Sequence, residues 1–573
     1  MYTFKELRKA SKQNFDGLKI KVAVLGNCAT QFFSTSVQGY SKLSGLNIDV
    51  FDADYNQIDA QLLDPSSEVY ECKPDSIVLW LATDKLYEEF LDIPLSERSS
   101  FAETYIAKIK NYWQLIQNNC NAKVIQFNFS EINDSVIGQY STKVASTFTY
   151  QVRKLNFLLA EAMSLAANVY PVDLLSIQVR LGQETFYDST YYYKAKMSVS
   201  TNALPYIASA VTDVLKSMSG KIKKCIVLDL DNTLWGGVIG DDGIHNIEIG
   251  ELGRGHAFTN FQRWLKQLKE YGIILAVCSK NNEEIAKEPF IRHEEMVLKL
   301  DDISIFVANW DDKATNIKMI QESLNIGMDS IVFVDDNPFE RNLVRDMIKD
   351  IEVPELPEDP AHYLEFLQNC NYFDTVTYTG KNSDRTKMYQ AEFERKKSEA
   401  SFSSIDEYLE SLDMVGYAGP FEESRYSRIA ELSQRSNQFN LRTVRYTEDE
   451  IRKIAESDNY ITIYFTLKDK FGDHGLVGVA ILEKKFEEEV FIDTWFMSCR
   501  VLKRGMEEYI VNKIIGKAKD NGFSKVSAEY IQTKKNMMVK DIYSRMGFKT
   551  TEENHFEINV SDYENKKVFI SEE

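Results

Sequence analysis

The chain has 573 residues, which at roughly 150 residues per domain points to three or four domains rather than one. Hydrophobic residues at 44% and charged residues at 27% are values of folded protein and exclude a disordered or fibrous chain. The 67 Lys and Arg against 87 Asp and Glu leave a net charge of -20, which repels phosphate backbones and anionic bilayers and argues against nucleic acid or membrane as a partner. The seven cysteines, at 28, 72, 120, 225, 278, 370 and 499, form no Cys-x-x-Cys pair, a pattern of reduced cytoplasmic thiols rather than a zinc or redox centre. The N-terminus lacks the apolar run of a secretory signal, and no apolar run reaches the length of a membrane span.

In chain order, apolar runs after Lys21, at 76–82 and at 123–128 read as strands. Between the last two, Tyr105, Ile106, Ile109, Tyr112, Trp113 and Ile116 recur at helical spacing over 101–117, and a second helix is expected at 147–167. This alternation predicts an α/β layer. A polar stretch at 216–224 marks a first boundary, and a second α/β series follows with strands at 226–228, 273–278, 303–308 and 330–334 and a helix at 256–271. A second boundary falls within 371–400, where the chain becomes strongly charged. Strands at 460–467, 475–482 and 490–498 and a helix at 505–521 complete a third module. The predicted domains are 1–218, 219–375 and 376–573, all α/β.

The middle module carries the chemistry. Asp229-Leu230-Asp231-Asn232-Thr233 follows a strand, so the pleat places two carboxylates on one side of the strand's carboxyl end. Such a pair calls for a divalent cation, and oxygen ligands without Cys or His favour magnesium. Asp335-Asp336 follows the strand at 330–334 and can complete the metal site. Ser279 ends a strand and Lys313 opens a helix, offering a hydroxyl and a cation to phosphoryl oxygens. Glycines in the run Trp-Gly-Gly-Val-Ile-Gly-Asp-Asp-Gly at 235–243 suggest a small flap. Only about 45 residues separate Thr233 from Ser279, too few for a large cap domain.

The order Asp-x-Asp-x-Thr, Ser, Lys, Asp-Asp resembles the haloacid dehalogenase (HAD) superfamily of phosphotransferases. The resemblance implies a Rossmann-like parallel sheet with a minimal cap, Asp229 as a nucleophile that becomes an aspartyl-phosphate, and Asp231 as general acid and then base. It further implies Thr233, Ser279 and Lys313 on the phosphoryl group, with Asp229, the Asp231 carbonyl, Asp335 and Asp336 around magnesium. The wording at 228–243, 278–282 (Cys-Ser-Lys-Asn-Asn) and 333–341 (Phe-Val-Asp-Asp-Asn-Pro-Phe-Glu-Arg) is similar to the FkbH-like subfamily. That resemblance implies a small phosphorylated three-carbon substrate, 1,3-bisphosphoglycerate, whose glyceryl group passes to an acyl carrier protein with removal of phosphate.

In the third module, Tyr543-Ser-Arg-Met-Gly-Phe548 resembles the Tyr-x-x-x-Gly-Phe ending of GNAT acyltransferases, implying Tyr543 as the acid for a departing thiolate. Arg500, Lys503 and Gly505, at a helix start, are expected to bind a pyrophosphate. Lys503 replaces the first glycine of the GNAT loop, so both acetyl-CoA and a phosphopantetheine arm stay open. The runs 434–442 and 471–475 are FkbH-like in wording, and His474 is a candidate base or a structural residue. Cys499, amid Arg500, Lys503 and Arg504, is the candidate acyl-bearing thiol, because cations favour thiolate. In the first module Gly26-Asn27-Cys28 stands where SGNH hydrolases carry Gly-Asp-Ser. The late Asp-x-x-His is represented only by Asp173 to Ser176 and all six histidines lie at 245 or beyond, so an SGNH-like fold without hydrolase activity is expected, with Cys28 a second candidate thiol. Three functions follow: a glyceryl transferase and phosphatase, a phosphatase fused to an acetyltransferase of sugar precursors, or a non-enzymatic scaffold.

Overall fold

The computed structural model describes residues 1–16, 19–376, 404–533 and 535–573. The second boundary expected within 371–400 lies mostly outside the described residues. The chain forms two compact units, Met1–Lys216 and Ser217–Glu573.

The first unit is built on five parallel strands, β1 Lys19–Gly26, β2 Asn47–Asp52, β3 Ser76–Trp80, β4 Lys123–Phe127 and β5 Val169–Val172, in the order β2-β1-β3-β4-β5. β3 is buried throughout, as an apolar run covered on both faces by helices requires. The helix Phe101–Asn119 buries the six periodic residues from Tyr105 to Ile116 against this core.

The second unit holds two sheets. Four parallel strands, β6 Cys225–Leu228, β7 Ile274–Ser279, β8 Ile305–Ala308 and β9 Ile331–Val334, run in the order β8-β7-β6-β9. β6 is wholly buried between β7 and β9, so the loops after these three strands converge at one end of the sheet. The helices Gly253–Glu270 and Lys313–Leu324 bring Phe258, Phe261 and Leu265, and Ile317, Ile320 and Leu324, into the two cores that the sheet separates.

The other sheet is mixed: β10 Met414–Gly419, β11 Tyr460–Asp469, β12 Gly472–Phe486, β13 Glu489–Met497, β14 Lys525–Glu529, β15 Lys549–Glu552, β16 His555–Asn559 and β17 Ile570–Glu572. Its order is β15-β16-β14-β13-β12-β11-β10-β17. β13 and β14 run parallel and pair only from Glu489 to Ile492. The α/β class expected from the sequence holds in all three sheets. No helix among the described residues is long and apolar enough to cross a membrane.

Candidate active site at the carboxyl ends of β6, β7 and β9

Each motif of the middle module arrives at the converging end of its sheet. Asp229 follows β6 and its amide donates to Val334 O at 2.9 Å, tying the loops after β6 and β9 together. Asn232 adopts the left-handed region at φ 54°, which turns the chain so that Thr233 and Leu234 donate back to Leu230 O. Thr233 is buried and bridges to the neighbouring loop: the Asp336 amide donates to its hydroxyl at 3.2 Å, and that hydroxyl lies 3.4 Å from Asp336 Oδ1. Arg341 donates to the carbonyls of Asp335 and Asp336 at 2.9 and 2.7 Å and holds the acidic pair in place. Ser279 closes β7, buried, and its carbonyl accepts from Asn309 N.

Lys313 begins its helix with Asp312 as N-cap; the residue is 3% exposed, with its ammonium at the centre of the site. It lies 2.9 Å from Asp229 Oδ2 and 2.5 Å from Asp335 Oδ2, so two buried carboxylates share one cation. Burial opposes its charge, yet the two carboxylates outweigh burial and hold the Lys313 ammonium well above the ordinary lysine range. Burial first, and then the Asp229 charge, push the Asp335 carboxyl up to about 7 against the pull of Lys313. Oxygens of Asp229, Asp335 and Asp336 lie within 4.8 Å of one another. Asp229 Oδ1 is buried with no hydrogen-bond partner among the described residues. An unpartnered buried carboxylate oxygen on Asp229, in a cluster whose candidate ligands are all carboxylates, fits a hard divalent cation.

Asp231 sits beside this cluster, half-buried. Its Oδ1 accepts from Trp235 Nε1 and Ile239 N, each at 3.0 Å, and its Oδ2 from Asn281 Nδ2 at 3.2 Å. Burial raises its carboxyl above the usual range, partly offset by the Ile239 and Trp235 donors. The expected flap is small and pinned down. Gly237 turns at φ 91° and donates to Asn232 Oδ1, Gly236 and Glu248 exchange both backbone hydrogen bonds, and Ile239 is buried.

A family model for the FkbH N-terminal domain matches residues 21–216. The crystal structure of the N-terminal part of the protein BF1531 from Bacteroides fragilis, containing a phosphatase domain complexed with Mg, is 47% identical, covers 66% of this chain and 100% of its own, and superposes with a TM-score of 0.63. The chain belongs to the FkbH family. It is an enzyme, which removes the scaffold reading. The ribosomal-protein-S18-alanine N-acetyltransferase of Escherichia coli matches 27% of this FkbH chain and 99% of its own at 12% identity and a TM-score of 0.21. No curated protein matches.

Most of the residues singled out in the third module are buried. Tyr543 is completely buried among Trp495, Phe548 and Phe556, and its hydroxyl has no partner among the described residues. Burial pushes it far above the ordinary tyrosine range and keeps the phenol protonated. Arg500 is buried and its Nε donates to Ser498 Oγ at 3.1 Å. Arg504 is buried with His474 and Asp469: Nη1 to His474 Nε2 is 3.2 Å and His474 to Asp469 is 3.0 Å. His474 is thus a member of a buried ionic cluster. Lys503 is exposed at φ 63° and Gly505 turns at φ 76° before the helix Met506–Asp520.

That helix start does not fit a pyrophosphate. The buried Glu507 accepts from Lys503 N at 3.2 Å and so takes up an amide that a phosphate would need, while burial raises its carboxyl above the usual range. Where β13 leaves β14, residues 439–441 fill the gap: Leu441 N donates to Trp495 O, Met497 N to Phe439 O, and Ile531 N to Leu441 O. An extended cofactor arm finds the β13 edge already paired there.

Cys499 is half-buried in a cavity of about 290 Å³ that Lys224, Asp329, Arg435, Ser436 and Lys535 also line. In the first unit, Cys28 is buried, and burial pushes its thiol up to about 12, so it is no nucleophile as it stands. Asp173 caps the helix Leu174–Leu181 by accepting from Ser176 N, a structural role for the expected Asp-x-x-Ser. Sequence reasoning left out Trp235, Ile239 and Asn281, although Asn281 stands two residues after Ser279 in a quoted motif.

Proposed function

We propose that this FkbH protein is a cytoplasmic, magnesium-dependent phosphatase acting through an aspartyl-phosphate on Asp229, and that it loads a glyceryl group from 1,3-bisphosphoglycerate onto an acyl carrier protein. The observation that carries the phosphatase is the buried cluster of Asp229, Asp335 and Asp336 around Lys313, with Asp229 Oδ1 left open. The domain limits 1–218, 219–375 and 376–573 belong to the same reading.

Magnesium would be held by the carboxylates of Asp229, Asp335 and Asp336 and the Asp231 carbonyl, and it supplies positive charge to the phosphoryl oxygens. Asp229 attacks phosphorus while Asp231 gives a proton to the leaving oxygen; Asp231 then takes a proton from the water that attacks the phosphoaspartate. Lys313, Ser279 and Thr233 hold the non-bridging oxygens and fix the line of attack.

For the acyl transfer, a thiolate attacks the acyl carbon of the acyl phosphate, the C–S bond forms, and inorganic phosphate departs with the C–O electron pair. Cys499 is the enzyme thiol for this step, its proton leaving to solvent; the phosphoester that remains on the bound acyl group is hydrolysed through Asp229, and the glyceryl group then passes to the carrier thiol. The rival acetyltransferase reading loses support from Glu507 and from residues 439–441. Intact-mass measurement after mixing with 1,3-bisphosphoglycerate, for parent and Cys499→Ala, tests the transfer: a glyceryl adduct in the parent alone is expected. No adduct and no loading of carrier refutes it.

A further inference from the structure

Three N–H donors from two separate stretches of chain hold the Asp231 carboxyl, and they divide unequally between its oxygens. Oδ1 accepts from both Trp235 Nε1 and Ile239 N at 3.0 Å, while Oδ2 accepts from Asn281 Nδ2 at 3.2 Å. A carboxylate oxygen offers two in-plane acceptor sites. Oδ1 is therefore full, and Oδ2 keeps one site open. The donors are themselves fixed. Asn281 is 5% exposed, and its Oδ1 accepts from Asn282 N at 2.8 Å, which directs Nδ2 toward Asp231. Asn282 in turn caps the helix Glu283–Arg292. Trp235 is completely buried, edge-on to Phe290 with ring centroids 5.9 Å apart.

We infer that Asn281 and Trp235 are positioning residues that assign the transferable proton to Oδ2 of Asp231 and aim that oxygen at the leaving group. This rests on the proposed role of Asp231 as general acid. A proton on Oδ1 would expel either the indole or the Ile239 amide from a buried pairing, whereas Oδ2 takes one at its open site. As the Asp229 oxygen bonds to phosphorus, the bond from phosphorus to the leaving oxygen breaks, its electron pair stays on that oxygen, and the Oδ2 proton joins it. The carboxylate left behind keeps all three donors. The same hold serves the second step, when Oδ2 takes a proton from water.

A merely structural Asn281, following β7 and steadying the helix after it, would slow all substrates alike. A positioning Asn281 matters only when the leaving oxygen needs a proton. Single-turnover phosphorylation of Asp229 is measured with magnesium and two aryl phosphates, phenyl phosphate with a poor leaving group and p-nitrophenyl phosphate with a good one. In Asn281→Ala the phenyl ester should slow about tenfold, a fraction of the hundred- to ten-thousandfold worth of a placed acid, while the nitrophenyl ester should change less than about twofold. Trp235→Phe keeps a ring in the same space and should show the same discrimination, and thermal melts report whether each variant is folded. Equal slowing of both esters, or no slowing of either, in a folded variant overturns the inference. If Asp229→Asn keeps parental turnover, the proposed function has failed instead. If Asp229→Asn is inactive and the leaving-group ratio of Asn281→Ala stays parental, the positioning inference alone has failed.

Discussion

Replacing Lys313 by Met removes the single ammonium shared by two buried carboxylates while keeping most of the side chain's volume. Lys313 is 3% exposed and Asp335 fully buried, so water cannot take over the neutralisation. Breaking one side of a buried ion pair costs about 3–5 kcal/mol, which at roughly 2–4 °C per kcal/mol lowers an unfolding midpoint by about 6–20 °C. The loss depends on pH in a definite sense. The Asp335 carboxyl is raised to about 7 in the fold above its ordinary value of 3.8. Its contribution is therefore fully present below that ordinary value and is lost as pH rises through 7. Without Lys313 the folded-state value rises further, so Lys313→Met should lose more at pH 8 than at pH 6. Magnesium at a hundred times its dissociation constant should restore about 2.7 kcal/mol. Thermal melts of parent and variant at both pH values, with EDTA or magnesium, decide the matter. A variant that melts with the parent, or gains nothing from magnesium, refutes the shared-cation account of the site.

Burial raises Asp231, so a rate that needs it protonated should fall as pH climbs past that raised value; a pH profile of phenyl phosphate turnover that rises there would oppose its role as acid. Tyr543→Phe deletes a buried hydroxyl with no partner and should stabilise the protein by about 1 kcal/mol with carrier loading unchanged, read by denaturant melts and intact mass. Burial lowers Lys224 to about 8 from 10.5. Below pH 8 the fold holds a cation that the unfolded chain hydrates better, so stability should rise from pH 8 toward 10.5, and Lys224→Met should flatten that rise in parallel melts. Calorimetry with acetyl-CoA should give no binding heat in the parent, because Glu507 and residues 439–441 occupy the two places such a ligand needs.

The active end of the middle module was legible because its residues sit directly after buried apolar strands. A strand such as β6 announces itself by composition, and the parallel topology then brings the ends of β6, β7 and β9 together. Asp229, Ser279 and the Asp335-Asp336 pair needed no more than that, while Lys313 was read from its place at a helix start and Thr233 from the family resemblance. Asn281 and Trp235 were missed because their roles depend on where an amide nitrogen and an indole point, which periodicity does not encode. The third module shows the opposite failure. Arg500, Arg504 and Tyr543 matched an expected pattern in sequence, but burial turned each inward, and Glu507 took the helix start that the cations were meant to serve. The short strands β14 to β17 and β10 of the third module gave no clear signal, since alternation over three to six residues is weak.

The central claim is that Asp229 becomes phosphorylated. The direct measurement is peptide mass spectrometry of the protein acid-quenched during turnover of a phosphate ester with magnesium. A phosphoryl group on Asp229, absent from Asp229→Asn, is the predicted result. Turnover with the phosphoryl group on another residue, or undiminished turnover in Asp229→Asn, would contradict it.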